Sequence, residues 1–261
     1  MTMNSTPKIF DTHAHYDDEA FDPDREAVIA SLREHGIGAV VNVGANRAGT
    51  EHSLELAQKY DFFYGAAGVH PSDTMEFENG TVSISWLREI ASQPKMLAIG
   101  EIGLDYYWDT PDRAIQKKWF LEQLALAKEL DKPVIIHSRD AAKDTLDLIR
   151  EAGGADMSMV IHCFSYEVEM AREYLKMGHF FGIGGVSTYK NARKLKEVIR
   201  FLPLEQILLE TDCPYLSPTP HRGKRNSSLN LEYVIHAIAE LKEISEEEVI
   251  AVTWANAHRF Y

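Results

Sequence analysis

The sequence has few cysteines and no long apolar run, and both absences limit the class of protein. Among 261 residues only Cys163 and Cys213 are cysteine, too few for a disulfide scaffold, so we expect both thiols to be reduced. No stretch approaches the roughly 18 apolar residues of a membrane span. The N-terminus, MTMNSTPKIF, lacks the basic and apolar regions of an export signal. We therefore predict a cytoplasmic protein with no membrane partner and no obligate protein partner.

Positive charge is also scarce in this chain. It has 27 Lys and Arg against 40 Asp and Glu, a net charge of −13, which disfavours broad, non-specific binding along nucleic acid. The balance is still compatible with an enzyme that reaches a phosphodiester through metal ions in a local cleft. A hydrophobic fraction of 45% with 26% charged residues is typical of a globular protein and excludes a disordered chain.

Eight short apolar runs alternate with amphipathic stretches along the chain. The runs lack the polar alternation of a half-exposed sheet, so they predict strands buried on both faces. These predicted strands are Lys8–His15, Ile37–Gly44, Phe62–His70, Met96–Leu104, Pro133–Ser138, Met159–Phe164, Phe180–Val186 and Ile207–Asp212. Their number and alternation with helices indicate an α/β fold, a single-domain (β/α)8 TIM barrel. The alternative, an open doubly wound sheet, lacks a nucleotide-binding fingerprint.

The barrel is predicted to comprise residues 7–261, preceded by a disordered N-terminal tail over residues 1–6. The clearest helical pattern spans Pro111–Leu130, with Thr110 as its N-cap and Pro111 in its first turn. Glycine ends a helix easily because it adopts the left-handed conformation. Three further helices are expected to end at Gly36, Gly153 and Gly178.

Six side chains of metal-binding type fall at the C-terminal ends of predicted strands. They are His13, His15, Glu101, His137, His162 and Asp212. In a barrel these strand ends meet at one mouth, where such enzymes carry their active sites. Burying four imidazoles and two carboxylates together is unfavourable unless a partner satisfies them. We therefore predict that the mouth binds divalent metal.

The size of this set indicates two ions, because a catalytic zinc site normally takes about three protein ligands plus water. Glu101 lies on a strand between the two histidine groups and is suited to bridge the ions with its two oxygens. Mixed imidazole and carboxylate ligands are compatible with Mg²⁺, Mn²⁺, Zn²⁺ or Ni²⁺.

Five other histidines and both cysteines are predicted to have structural roles. The histidines fall on predicted helices or at helix–strand junctions: His35, His52, His179, His236 and His258. Cys163 and Cys213 each follow a predicted ligand directly, so in a strand they would point outward and pack against the helix layer. This orientation, with no Gly-x-Ser-x-Gly motif in the sequence, disfavours a cysteine or serine hydrolase.

The predicted ligands lie within a series of motifs that resemble one family. The motifs are Asp-Thr-His-Ala-His (11–15), Gly-Val-His-Pro (68–71), Gly-Glu-Ile-Gly-Leu-Asp-Tyr-Tyr (100–107), Pro-Val-Ile-Ile-His-Ser-Arg-Asp (133–140), His-Cys-Phe-Ser (162–165), Glu-Thr-Asp-Cys-Pro-Tyr-Leu (210–216) and Arg-Gly-Lys-Arg-Asn (222–226). In this order and together they resemble the TatD family of metal-dependent hydrolases, which are amidohydrolase-like barrels.

The resemblance implies a (β/α)8 barrel with two divalent ions that hydrolyses nucleic-acid phosphodiesters, typically as a 3′→5′ exonuclease on single strands. It implies that one ion is held by His13, His15 and Asp212, the other by His137 and His162, and both by Glu101. The expected partner is therefore a DNA or RNA substrate.

The chain departs from the family pattern at two places. Tyr166 stands where the family usually has glycine, and Ser227-Ser228 replace an acidic–proline pair. Neither change touches a predicted ligand, so we expect effects on groove shape and substrate preference.

Further residues receive catalytic or positioning roles. Asp212 is a candidate general base, with a role as ligand alone kept as the alternative. His70 ends the third predicted strand and is expected to contact the phosphate or protonate the leaving group. Asp11 is expected to orient a histidine.

Basic and aromatic residues near the mouth are candidates for substrate binding. The one compact basic cluster, Arg222, Lys224 and Arg225, is predicted to bind phosphate. Arg139 lies two residues after His137, and two roles stay open for its side chain: it faces the mouth, or it pairs with an acidic residue. Base stacking and lid packing are both open for Tyr106, Tyr107 and Trp108.

Two other functions are compatible with the sequence. The same ligands serve a metal-dependent ester or amide hydrolase, such as one that removes a D-amino acid from tRNA. A non-catalytic metal-binding protein is the other alternative, but it has no need for open metal positions.

Overall fold

Eight parallel β-strands form one sheet whose order follows the chain from β1 to β8 in a computed structural model that describes residues 8–261. The strands are β1 Ile9–Ala14, β2 Ile37–Val43, β3 Phe63–Ala67, β4 Met96–Asp105, β5 Val134–Arg139, β6 Met159–Ile161, β7 Phe180–Ile183 and β8 Ile207–Leu209. The barrel closes where the chain after β8 returns to β1, since the His15 amide donates to the Cys213 carbonyl at 2.8 Å. The predicted (β/α)8 fold is confirmed, and the tail predicted over residues 1–6 lies outside the described residues.

Helices follow the strands around the outside of this sheet. They are α1 Arg25–Leu32, α2 Arg47–Lys59, α3 Met75–Glu78, α4 Ile84–Ala91, α5 Arg113–Glu129, α6 Ala142–Glu151, α7 Val168–Lys176, α8 Arg193–Phe201, α9 Leu231–Lys242 and α10 Glu246–Phe260. Within residues 8–261, none of them combines the length and the apolar character needed to cross a bilayer.

Several predicted strands extend too far at their C-terminal ends. β6 and β8 stop at Ile161 and Leu209, because the backbone turns into the left-handed region at Cys163 (φ 45°) and Asp212 (φ 55°). β3 likewise ends at Ala67, three residues before His70. Predicted ligands therefore lie in the turns that follow the strands.

The start of α5 also differs from the prediction. Its N-cap is Asp112, whose carboxylate accepts the Ala114 amide at 2.8 Å, and not Thr110. Pro111 lies outside the helix, where its carbonyl accepts the Gln116 side-chain amide at 2.9 Å. The predicted glycine ends are confirmed by left-handed φ angles of 85°, 73° and 79°, in order, at Gly36, Gly153 and Gly178.

Every strand contributes an apolar side chain to one cluster inside the barrel. The strand members are Phe10, Ala39, Val41, Val43, Ala66, Ala98, Ile135, Val160, Phe180 and Leu208. At the N-terminal end this cluster is covered by Ala257 and Phe260 of α10, and the Tyr261 hydroxyl donates to the Thr12 carbonyl at 2.9 Å. Because the N-terminal end of the barrel is closed, the active site is expected at the C-terminal mouth.

One buried histidine has a side chain without a hydrogen bond. His179 precedes β7 and has no exposed surface, and neither of its ring nitrogens has a hydrogen-bond partner. Burial lowers the pKa of His179 from 6.5 to about 4, because the site disfavours the charged imidazole.

This burial predicts a loss of stability in acid. Between pH 6.5 and 4 the unfolded chain protonates this histidine while the folded chain does not, so stability falls as the pH falls. At pH 5 the penalty is about 2 kcal/mol, and it is nearly absent at pH 7.5. We expect His179→Phe to gain about 2 kcal/mol more, relative to wild type, at pH 5 than at pH 7.5.

Urea unfolding in the presence of chelator measures this difference without a contribution from metal release. The exposed His35 provides the matched control, and His35→Gln is expected to change stability equally at both pH values. An equal effect of His179→Phe at the two pH values would contradict the prediction.

Candidate metal centre and active site

The six predicted ligand residues meet at the C-terminal mouth of the barrel. His13 lies within β1 and His15 directly follows that strand. Glu101 lies within β4 and His137 within β5, and His162 and Asp212 follow β6 and β8. Groups that could hold an ion include His13 with His15 and Asp212, and His13 with Glu101 and His162. A third such group is His70 with Glu101 and His137.

Glu101 is the central carboxylate, and its two oxygens face different histidines. Oε1 lies 2.6 Å from His137 Nδ1 and 3.9 Å from His162 Nε2. Oε2 lies 3.4 Å from His13 Nε2 and 3.9 Å from His15 Nε2. Burial opposes ionisation, but the positive charges of His162 and His137 hold the pKa of Glu101 well below its ordinary range. One ionised carboxylate thus contacts two separate pairs of histidines.

Asp212 is the more accessible of the two carboxylates in the predicted set. Its Oδ1 lies 3.4 Å from His15 Nε2, 3.7 Å from His162 Nε2 and 3.8 Å from His13 Nε2. The Asp212 side chain is 18% exposed, against 5% for Glu101. One oxygen of Asp212 therefore lies near all three rings, and the side chain is also partly exposed to solvent at the mouth.

Acceptors behind three of the histidines determine which ring nitrogen carries the proton. His15 Nδ1 lies 2.9 Å from the Val43 carbonyl, which accepts only an N–H. His162 Nδ1 lies 3.0 Å from Glu210 Oε2, and His137 Nε2 lies 2.9 Å from Asp105 Oδ2. When such a ring loses its second proton and binds a cation, the outward proton stays on the outer nitrogen and the lone pair of the other nitrogen faces the centre.

The site carries features that a bound cation would relieve. His13 Nε2 and His15 Nε2 are 3.1 Å apart, and the His13 and His162 rings stack with centroids 3.6 Å apart. The buried His13 Nδ1 has no hydrogen-bond partner. Although burial opposes it, Glu210 and Glu101 raise the pKa of His162 to about 10. The same negative field favours metal cations, so the residues fit a metal centre.

His70 has the opposite proton arrangement to the histidines around it. The Ser72 amide donates to His70 Nδ1 at 3.1 Å, so the neutral ring carries its proton on Nε2. That nitrogen lies 4.0 Å from Glu101 Oε1. Burial and the positive charge of His137 lower the pKa of His70 to about 3. His70 therefore presents a neutral N–H donor, and not a lone pair, to the centre.

Two important carboxylates were not among the predicted site residues. Glu210 accepts from His162 and, through Oε1, from the Cys163 amide at 2.6 Å, and Asp105 contacts His137. The signal for Glu210 was its position two residues before Asp212, the same spacing that pairs His13 with His15. For Asp105 the signal was its place at the end of β4, four residues after Glu101.

Local backbone geometry places β4 close to β5 beside His137. Gly103 has φ 149°, and a Cβ atom there would lie 1.9 Å from the His137 carbonyl oxygen. Only glycine permits this approach. The approach brings Glu101 and Asp105, on either side of Gly103 in β4, to the two nitrogens of one ring.

Asp11 fastens the junction between β1 and the chain after β8. Its carboxylate accepts from Thr211 Oγ1 at 2.7 Å and from Ser228 Oγ at 2.6 Å. It also accepts from the His13 amide at 3.3 Å. Burial raises the pKa of Asp11 to about 7, and the hydrogen bonds oppose the rise. Asp11 was predicted to orient a histidine, and it contacts His13 through the main-chain amide.

The two departures from the family pattern lie behind the site. Ser228 is fully buried, and its Oγ bonds Asp11 and lies 2.8 Å from the Tyr16 hydroxyl. Tyr166 is half-buried, with its hydroxyl 2.8 Å from Ser138 Oγ. Both side chains contact residues that flank predicted ligands, and they support the ligand backbone in this way.

Cys163 corrects the predicted orientation of the cysteines. Its Sγ lies within 4.8 Å of a ring nitrogen of His162 and an oxygen of Glu210, so it does not point to the helix layer. The cause is the left-handed turn at Cys163, which replaces the expected strand geometry. Cys213 does pack in a buried apolar cluster, with Tyr16 and Phe21.

The three basic residues predicted to bind phosphate have different surroundings. Both terminal nitrogens of Arg225 donate to the Asp24 carboxylate, at 2.6 and 2.7 Å. This pairing corrects the prediction for Arg225, because its donors tie the loop to the start of α1. Arg222 is exposed and stacks on the Tyr189 ring at 4.1 Å. Lys224 is exposed in the same loop.

The predicted aromatic residues after β4 divide into a packed one and two exposed ones. Tyr106 is half-buried, and its hydroxyl donates to Asp144 Oδ2 at 2.7 Å. Tyr107 and Trp108 are 54% and 65% exposed, and the Arg139 guanidinium lies 3.8 Å from the Tyr107 ring. Arg139 thus faces an aromatic ring at the mouth.

Comparison with known proteins identifies the family of this chain. A family model described as "TatD related DNase" matches residues 10–261. The "Uncharacterized metal-dependent hydrolase YabD" of Bacillus subtilis is 42% identical, over 97% of this chain and 98% of that protein. The "Uncharacterized metal-dependent hydrolase YcfH" of Escherichia coli K12 is 34% identical, over 97% and 95% of the two chains.

A solved structure shows the same architecture. The crystal structure of YjjV, described as a TatD homolog from Escherichia coli K12, superposes with a TM-score of 0.91 at 30% identity. The alignment covers 98% of each chain. The chain therefore belongs to the TatD family of metal-dependent hydrolases.

Proposed function

We propose that this hydrolase cleaves phosphodiester bonds of single-stranded DNA, releasing nucleotides from the 3′ end at a centre that holds two divalent ions. The observation that carries the proposal is that the two oxygens of Glu101 face different histidines. One oxygen faces His137 and His162, and the other faces His13 and His15. The family description as a DNase supports the choice of bond. Two free cysteines support a cytoplasmic setting.

The proposed ion ligands are the six predicted residues. His13, His15 and Asp212 would hold one ion, His137 and His162 the other, and Glu101 both. Bound divalent ions supply hydroxide at neutral pH and offset the charge that develops on a phosphate. The nitrogen and oxygen donors suit Zn²⁺, Mn²⁺ or Mg²⁺.

Asp212 is the proposed proton acceptor from the attacking water. A carboxylate reacts in this way when it lies at the mouth and is ionised near neutral pH. Asp212 meets both conditions: it is partly exposed, and although burial opposes ionisation, the hydrogen bond from His15 and the charge of His162 lower its pKa.

His70 is the proposed donor to the leaving oxygen. Its Nε2 proton faces the centre because the Ser72 amide occupies Nδ1. That N–H would donate a hydrogen bond that stabilises the negative charge on the leaving oxygen as the phosphorus–oxygen bond breaks. The neutral ring keeps its proton, and solvent water supplies the proton that the alkoxide takes up. Arg222 and Lys224 extend from the loop after β8 and are proposed to bind the flanking phosphates.

The first prediction of the proposed function concerns metal and Asp212. After chelation, a 3′-labelled single-stranded DNA should lose its label only when Mg²⁺, Mn²⁺ or Zn²⁺ is restored. Asp212→Asn should lower the rate at least about 100-fold, because the proton acceptor and one ligand oxygen are lost. The same DNA labelled at the 5′ end should give a ladder that shortens with time.

Asp131→Asn provides the matched control. Asp131 is exposed and has φ 50°, close to the 55° of Asp212, a conformation that asparagine also adopts. The rate of nucleotide release by Asp131→Asn should equal that of wild type. If folded, metal-loaded protein released no nucleotide but hydrolysed a small carboxylic ester, the phosphodiesterase proposal would be wrong and the ester or amide hydrolase would replace it.

A second prediction separates a hydrogen bond from His70 to the leaving oxygen from simple phosphate binding. His70→Ala should lower kcat on DNA by about 100- to 1,000-fold, as expected when one donor to a developing oxyanion is lost. The loss should nearly disappear on thymidine 5′-(p-nitrophenyl phosphate), whose p-nitrophenolate leaving group is stable without a hydrogen bond. Metal content should stay at the wild-type level, because Nε2 is protonated and is not a ligand. Equal losses on both substrates would indicate phosphate binding alone.

A third prediction concerns Glu210, which holds the His162 proton outward. Glu210→Ala should weaken metal affinity about 10- to 100-fold, as measured by competition with a fluorescent chelator. The exposed Glu205 supplies the control, and Glu205→Ala should leave the affinity unchanged. Unchanged affinity in Glu210→Ala would show that this carboxylate does not act on the metal centre.

A further inference from the structure

The exposed large apolar side chains of residues 8–261 all lie at the mouth of the barrel. They are Met75, Tyr107, Trp108, Tyr215 and Leu216. They belong to the segments that follow β3, β4 and β8, and these segments surround the metal centre. Solvent-exposed apolar groups collected beside an active site indicate a surface that binds apolar parts of a ligand.

Tyr107 and Trp108 form a compact aromatic pair next to a cation. Their rings meet edge to face, with centroids 5.1 Å apart at 87°. The Arg139 guanidinium lies 3.8 Å from the Tyr107 ring. Arg113 is paired with Asp109 and Arg225 with Asp24, whereas Arg139 has no ion-pair partner in the described part of the chain. An aromatic surface with an available cation matches a nucleoside joined to a phosphate.

A single carboxylate fixes this pair relative to the metal centre. Asp105 Oδ1 accepts the amides of Tyr107 and Trp108, both at 3.0 Å. Its other oxygen, Oδ2, contacts His137 Nε2 at 2.9 Å. The main chain of Asp105 is itself held by the Gln116 side chain at 2.9 and 3.0 Å. The aromatic pair is therefore held at a set position from a proposed metal ligand.

We propose that Tyr107, Trp108 and Arg139 form a subsite for the nucleotide next to the scissile phosphate, with the base stacked on Trp108 and the adjoining phosphate on Arg139. This inference rests on the proposed nuclease function and deepens it. A base offers its face to a ring only when it is unstacked, so the subsite selects unpaired strands over duplex DNA. Stacking is independent of base identity, because every base has a π face.

The test compares a thymidine oligonucleotide with one that carries an abasic tetrahydrofuran residue next to the 3′-terminal bond. With the ordinary strand, Trp108→Ala should raise KM about 5- to 100-fold and leave kcat within about twofold. Trp108→Phe keeps a ring and should stay within about threefold of wild type. With the abasic strand, all three proteins should have the same KM.

Glu205→Ala is the control, because Glu205 is exposed and lies directly before β8, at the opposite end of the barrel from the mouth. Its KM should equal wild type on both strands. Equal KM for Trp108→Ala and wild type on the ordinary strand would overturn the subsite. A loss in kcat that is the same for both strands would also overturn it, since that result indicates distortion of the metal centre.

A binding measurement separates failure of the subsite from failure of the nuclease proposal. The metal-loaded Asp212→Asn protein is titrated with the thymidine oligonucleotide, and tryptophan fluorescence is followed with Asp212→Asn/Trp108→Phe as the reference. Quenching that disappears in the reference supports the subsite even if wild type cleaves no DNA, and the nuclease proposal then fails alone. If wild type cleaves DNA but the two titrations are identical, the subsite is wrong and the nuclease proposal stands.

Discussion

The position of one proton on each buried imidazole determines what the mouth of this barrel can bind. The Val43 carbonyl and the carboxylates of Glu210 and Asp105 hold protons on the outer side of three rings. A buried lone pair is unfavourable until a cation or a donor meets it, so these acceptors create the demand for metal. His70 differs because the Ser72 amide takes its acceptor nitrogen, and the same space therefore receives both lone pairs and a donor.

The closure of the barrel makes this arrangement possible. Histidines from the first strand and a carboxylate that follows the last one come together only because the chain after β8 bonds to β1. Asp11 stands at this junction without exposed surface, and four donors, from His13, Thr211 and Ser228, satisfy its carboxylate. The stability of the junction and the geometry of the centre therefore depend on the same hydrogen bonds.

The sequence predicted the fold well because eight apolar runs specify eight buried strands. The directions of side chains were less predictable, since they depend on backbone dihedral angles that the amino-acid sequence does not show. The left-handed turn at Cys163 brings its thiol toward the centre against the strand pattern. Arg225 finds its partner Asp24 some 200 positions away, which no local spacing reveals. The spacing of Glu210 from Asp212 was a signal, but the role of Glu210 depends on its contact with His162, which follows β6.

The double attachment of Asp105 also affects how this enzyme can change over evolution. One oxygen holds the main chain of the aromatic loop and the other holds a histidine of the centre, so the backbone of the loop cannot shift without disturbing that histidine. The side chains at 107 and 108 are free of this restriction, since Asp105 bonds only their amides. Replacement of these two side chains would therefore change the surface beside the centre without moving His137, whereas an insertion or deletion in the same loop would disturb that histidine.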